Sequence, residues 1–354
     1  MKINQEVQLD FSDVLIKPMR STITSRQDVC LERNFQFHQA TGTWTGIPII
    51  LSNMDKIGTL ESFEIAHKYK VITALVKHYT PLEVISWLSY KDLPPEATEY
   101  LAFSVGISAR DKELFKRGEL RELLNKVRFL NIDIANGYIA DLIPFCKMAR
   151  HYAYDSTVII VGNVVTPEVA QDLITGGLAD IVKIGLGSGA VCTTREITGV
   201  GRPQLSAILD CGFHVHHYKN ARICSDGGIQ AVGDFAKAFV ADADFVMAGS
   251  IFAPYSPHAE VVHDPSGLKH VKFHGMASEE AMITNYGEVP DYKTSEGREV
   301  IVESKGSLDD IIKRILGGLR STAAYIGAET LKEFPKKGSF YLVNNQLNTS
   351  LVRH

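Results

Sequence analysis

Val158-Ile159-Ile160-Val161-Gly162-Asn163-Val164, then Thr166-Pro167-Glu168 opening a segment that stops at Gly176-Gly177, then Asp180-Ile181-Val182-Lys183-Ile184-Gly185-Leu186-Gly187: this stretch holds one complete structural unit. Its first and last runs are nearly continuous in apolar, largely β-branched residues, the pattern of parallel strands covered on both faces. The middle segment has apolar residues at helical spacing, with Pro167 at the first helical position and the glycine pair as a stop. A strand, a helix and a second parallel strand form a βαβ unit.

Outward from this unit the alternation repeats. Apolar runs at 47–51, 71–76, 101–105, 129–135, 158–164, 180–187, 221–225 and 244–249 read as strands. Segments 59–69, 81–89, 111–126, 137–151, 166–176, 203–211 and 229–240 have helical spacing between them. A last helix, 308–319, places Leu308, Ile311, Ile312, Ile315 and Leu319 on one stripe. Eight strands alternating with eight helices predict an α/β fold, a (β/α)8 or TIM barrel, as one domain over residues 1–354. An open doubly wound sheet is the alternative arrangement of the same elements. Two connections are long, 187–203 after the sixth strand and 250–307 after the eighth. Loops at the C-terminal ends of barrel strands carry the sites of such folds, so both are functional candidates.

Composition narrows the partners. Lys and Arg total 37 against 41 Asp and Glu, a formal charge of −4, which offers no broad basic surface to nucleic acid or anionic membrane. No apolar run approaches the ~18 residues of a membrane span, and residues 1–17 lack a signal-peptide core. Five scattered cysteines resemble neither a disulfide framework nor a zinc site, so a reduced, cytoplasmic compartment is expected. His214, His216 and His217 match no zinc spacing and read as a surface loop, and 112–126 reads as a solvated helix face.

The run from Lys183 to Arg195, KIGLGSGAVCTTR, is the most informative loop. Gly185, Gly187 and Ala190 formally fit a dinucleotide fingerprint, yet they sit on the sixth repeat instead of opening a βαβ unit, which argues against a Rossmann site. Glycines permit close backbone approach, so Cys192 at the loop tip can be presented to a ligand. A thiol attacks only as thiolate, and Arg195 and the loop amides are the local candidates for stabilising it. The alternative is a structural cysteine.

The sequence Gly187-Ser188-Gly189-Ala190-Val191-Cys192-Thr193-Thr194-Arg195, with 198–207 (TGVGRPQLSA), resembles the catalytic loop of the IMP dehydrogenase/GMP reductase family. Residues 10–15 (DFSDVL), 132–138 (IDIANGY), 162–166 (GNVVT), 225–228 (SDGG) and 316–322 (LGGLRST) resemble the family in the same order. Three features resemble the reductase branch. No room exists near residues 71–81 for the inserted CBS modules common in the dehydrogenases. Residues 277–307 hold no Arg-Tyr pair, and 292–297 (YKTSEG) is similar to the short reductase flap. The wording Cys-Thr-Thr-Arg is also closer to the reductases.

The resemblance implies a reaction: reductive deamination of GMP to IMP and ammonia by NADPH through a covalent thioimidate on Cys192, with Thr194 and Glu296 as proton relay. It implies that Asp226 binds ribose hydroxyls and that Gly227, Gly228 and Gly249 offer amides to phosphate, near Ser250. Gly275, Met276, Ala277, Tyr292, Lys293, Ser295 and Gly297 would complete the purine pocket and flap. Lys77, Asp133, Ile134, Ala135, Leu186, Gly187 and a turn at Ser321, Thr322, Ala323 and Ala324 would contact the cofactor. Ser25 and Arg26 would reach the cofactor of a neighbouring subunit, which implies a homotetramer. Gly187, Gly189, Cys192 and Arg195 would mark a monovalent cation site, such as K+. Ala190, Ser250, His274 and Lys293 stand where the reductases usually have serine, glycine, tyrosine and arginine, so phosphate is expected to meet an altered set of donors.

Overall fold

The computed structural model describes residues 3–257, 260–263, 269–275, 278 and 294–344. Eight parallel strands close on themselves in chain order: Thr43–Leu51, Val71–Ala74, Leu101–Val105, Phe129–Asp133, Val158–Val164, Ile181–Ile184, Arg222–Asp226 and Phe245–Ala248. Closure comes from pairing of the eighth strand with the first, Val246 beside Ile49 and Ala248 beside Leu51. Nearly every strand residue is buried, which explains the unbroken apolar runs. The closed barrel excludes the open doubly wound sheet.

Helices cover the outside, and reciprocal side-chain caps open several of them. Thr80 and Glu83 cap Pro81–Tyr90, and Ser307 and Asp310 cap Leu308–Ile326. Three local readings change. The helix expected over 111–126 is two, Ala109–Leu114 and Gly118–Leu124, because Arg117 is extended where the second begins. The helix expected from 137 starts at Leu142; Gly137 lies so close to the next strand's end that a Cβ there would meet the Asn163 carbonyl at 2.5 Å. The helix Pro167–Thr175 ends at Gly176 as expected, but the left-handed turn falls on Leu178 (φ 59°). Ser321 to Ala324 form no turn: they lie within Leu308–Ile326, and both hydroxyls bond carbonyls four residues back.

Three short pairings were not visible in the apolar pattern. Val14–Ile16 pairs with Phe340–Leu342, joining the two ends of the chain. Arg33–Gln36 pairs antiparallel with the start of the first barrel strand, and Phe35, Phe37 and Trp44 pack on Phe129 and Phe245, the first residues of their strands. These rings close the N-terminal end of the barrel. Glu260–His263, Lys269–His274 and Glu299–Glu303 form a three-stranded antiparallel sheet in the long connection after the eighth strand.

His216 is not in a surface loop. It caps the helix Gln204–Val215, with its ring between Asp242 (3.1 Å) and the buried Asp244 (2.7 Å). Burial opposes its charge, but the two carboxylates prevail and lift its pKa to about 10. A raised cationic pKa adds stability below the unfolded value of ~6.5 and loses it as pH climbs through the folded value. His216→Ala should therefore cost about 3 kcal/mol at pH 6. Thermal melts should show the gap from wild type shrinking toward pH 10; a gap independent of pH would contradict this.

Candidate active site

The loop after the sixth strand and the segment before Glu299–Glu303 meet edge to edge. Thr193 N–H donates to the Glu296 carbonyl (2.9 Å), Arg298 N–H donates to the Val191 carbonyl (2.9 Å), and Cys192 bridges Gly297 in antiparallel register. This short ladder brings distant side chains together. The Cys192 Sγ lies 3.1 Å from Thr194 Oγ1, which donates to Glu296 Oε2 at 2.7 Å. Thiol, hydroxyl and carboxylate form one hydrogen-bonded chain that opens on a cavity of about 340 Å³, a size suited to a small organic ligand.

The cavity sits at the C-terminal ends of the strands. Lys77, Asp133, Ile134 and Ala135 line it from the second and fourth repeats, and Leu186, Gly187, Gly189 and Ala190 from the sixth. Asp226, Gly227, Gly228, Gly249 and Ser250 line it from the seventh and eighth, with Gly275 and Glu296 beyond them. Gly227 (φ +88°) and Gly228 (φ +78°) adopt a conformation that favours glycine, and a Cβ on Gly227 would lie 2.5 Å from Ser188 Oγ. That cradle can present backbone amides to an anion.

A buried charge cluster lies under the cavity. Lys183 is fully buried; its Nζ contacts Asp133 Oδ1 and lies 3.7 Å from Asp226 Oδ2, which also accepts from Asn163 Nδ2 at 2.8 Å. Burial pushes both carboxyls up. At Asp133 the Lys183 charge outweighs burial and holds the group below the ordinary range, whereas at Asp226 burial prevails. Lys183 and Asn163 were assigned no role from the sequence. The available signal was a lone charge inside Ile181–Ile184.

Arg195 has another task than supporting the thiolate. Its guanidinium donates to Asp10 Oδ2 (3.0 Å) and the Arg202 carbonyl (2.5 Å). Its stem fills space beside Gly187, where a Cβ would meet Arg195 Cγ at 2.6 Å. Asp10 also accepts from Gln204 N–H, so the N-terminal segment is fastened behind the cysteine loop. Ser295 Oγ donates to the Gly297 carbonyl (2.9 Å) and stiffens the flap edge. His274 was expected near the phosphate donors; it is buried, and its Nε2 lies 3.3 Å from Asp55 Oδ2. Ser25 and Arg26 lie outside the cavity lining, packed near the helix that carries Ser321 to Ala324. Met276, Ala277, Tyr292 and Lys293 lie outside the described residues.

Burial separates Cys192 from three other cysteines. It pushes the thiols of Cys146 and Cys211 up to about 12 and that of Cys224 well above its ordinary value, while Cys192 is half-buried at the cavity and Cys30 is exposed. Iodoacetamide on the native protein should modify Cys192 and Cys30 only, read by peptide mass. Modification of Cys146, Cys211 or Cys224 before unfolding would contradict this burial pattern.

The IMP dehydrogenase / GMP reductase domain model matches residues 8–350. The chain is 43% identical to GMP reductase 1 of Mus musculus over 348 residues, covering 98% of this chain and 99% of that protein. It is 42% identical to GMP reductase 2 of Homo sapiens over 346 residues (98% and 97%), and 41% identical to the GMP reductase of Caenorhabditis elegans over 352 (99% and 96%). With a family match along nearly its whole length and a cavity built around Cys192, the chain belongs to the IMP dehydrogenase / GMP reductase family.

Proposed function

We propose that this chain catalyses the reductive deamination of GMP to IMP and ammonia with NADPH. The observation that carries the reading is the Cys192–Thr194–Glu296 chain of hydrogen bonds at the mouth of one cavity. The Cys192 thiolate adds to C2 of guanine. The thiol proton passes through Thr194 to Glu296 as the thiolate forms; Thr194 then gives its own proton to the departing 2-amino group and recovers the stored one from Glu296, so ammonia leaves in a protonated form. A thioimidate on Cys192 remains. NADPH, when bound, supplies the hydride that C2 accepts. The C–S bond then breaks, its electron pair returns to sulfur, and IMP departs.

The cavity lining fits both ligands. Asp226, Gly227, Gly228, Gly249 and Ser250 suit ribose hydroxyls and a 5′-phosphate, and Gly275 suits the base; Ser295, Gly297, Met276, Ala277, Tyr292 and Lys293 are proposed as base-binding residues on the family resemblance alone. From the opposite arc of the barrel, Lys77, Asp133, Ile134 and Ala135, with Leu186 and Gly187, suit the nicotinamide end, where a carboxylate can accept from a carboxamide. The carbonyls of Gly187, Gly189 and Cys192, with Arg195 behind them, are the proposed monovalent cation site, with K+ as the ion. Ser25 and Arg26 are proposed to serve a neighbour's cofactor in a homotetramer; their packing near the helix that carries Ser321–Ala324 is compatible with that reading. Residues 1–354 are proposed to act as one domain without a regulatory insert. The proposed setting is cytoplasmic; among the described residues no helix is long and apolar enough to cross a membrane.

Purified protein with GMP and NADPH should consume the reduced cofactor and release ammonia in equal amounts. Turnover of IMP with NAD+ but not of GMP would overturn the reading. Loss of a hydroxyl at Ala190 removes about 1 kcal/mol of neutral hydrogen bonding, and Ser250 lines the cavity where it can return a donor. GMP should therefore exceed guanosine at least tenfold in kcat/KM, and equal efficiency would mean that the phosphate is not selected.

A further inference from the structure

The two halves of the cavity are held from beneath by one side chain. Asp133 ends the fourth strand, Asp226 ends the seventh, and Lys183 rises between them from the sixth. The lysine has no exposed surface, whereas both carboxylates line the cavity. Asn163 at the fifth strand secures Asp226 from the side at 2.8 Å. Two carboxylates this close to one buried ammonium form a shared pair, in which moving either partner disturbs the other.

We infer that Lys183 is a positioning residue that fixes Asp226 and Asp133 together, so that the ribose half and the nicotinamide half of the cavity are aligned by one buried charge. The inference rests on the proposed GMP and NADPH reading. Lys183 does not touch either ligand; it acts through the two carboxylates. An isolated carboxylate pair repels itself and keeps a proton to higher pH, and the ammonium between them opposes that tendency. Buried ion pairs contribute little net stability but cost several kcal/mol when one partner is removed. A device of this kind is therefore retained for geometry.

The test is Lys183→Met, with folding followed by circular dichroism and the nucleophile loop by the Cys192 alkylation rate. The expected result is a folded protein with unchanged alkylation, a rise of at least tenfold in KM for both GMP and NADPH, and a smaller fall in kcat. The acid limb of kcat/KM against pH should move up by at least one unit, because Asp226 keeps only Asn163 and Asp133 only Asn53 and Lys77 once the ammonium is gone. A lysine that only supported folding would lower melting temperature and leave both KM values and the pH limb in place, which overturns the inference. If Lys183→Met does not fold, Lys183→Met/Asp133→Asn replaces the charged pair by neutral side chains and is compared with Asp133→Asn alone. A tenfold higher KM for GMP in the double variant supports the inference; equal values overturn it. Wild type that neither binds nor turns over GMP sinks the reading and the inference together. Wild type that turns over GMP while the variants keep its KM sinks the inference alone.

Discussion

Two backbone hydrogen bonds, Thr193 to Glu296 and Arg298 to Val191, decide what the site can do. Glu296 is separated by 102 residues from Thr194, and a lone flap carboxylate has no reason to face a particular hydroxyl. The antiparallel register removes that freedom: once Cys192 lies opposite Gly297, the neighbouring Glu296 side chain reaches Thr194. The order must be provided on both sides of the ladder. On one side the Asp10–Arg195 ion pair and the Arg202 carbonyl fasten the cysteine loop from behind. On the other, the sheet Lys269–His274 with Glu299–Glu303 sets the direction in which the flap leaves.

The barrel contributes position more than chemistry. Its strands are buried on both faces, so their C-terminal ends are fixed points from which Asp133, Asn163, Asp226 and the cysteine loop project. Among the described residues, charges enter the interior beside opposite charges, as at Lys183 under the cavity and at Asp244 with His216 at the opposite end. Buried charges survive only when paired and hydrogen-bonded.

The barrel was legible because burial on both faces writes itself as uninterrupted apolar runs, and each run fell within a few residues of its strand. Cys192 drew notice as the tip of a glycine-rich loop, and Thr194, Glu296, Asp226 and the glycines beside it were singled out through resemblance; the structure brings all of them to one cavity. What the sequence hid has physical reasons. Strands such as Glu299–Glu303 alternate charged and apolar residues on a half-exposed sheet, which a search for buried runs passes over. Arg195 reads as a cation beside a thiol, whereas its role depends on Asp10, far away in the chain. His274 follows Phe273, which lines the cavity, so the two-residue period of the strand turns the histidine toward Asp55 instead. Lys183 was hidden within an apolar strand, and its importance shows only when the ends of three strands are seen together.

The central claim is that Cys192 carries the purine during turnover. Acid quenching of the protein while it consumes GMP and NADPH, followed by peptide mass analysis, tests it directly. The account predicts a purine nucleotide adduct, lacking the elements of ammonia, on the peptide that contains Cys192, and neither adduct nor ammonia from Cys192→Ala. Ammonia release by Cys192→Ala at the wild-type rate would contradict it.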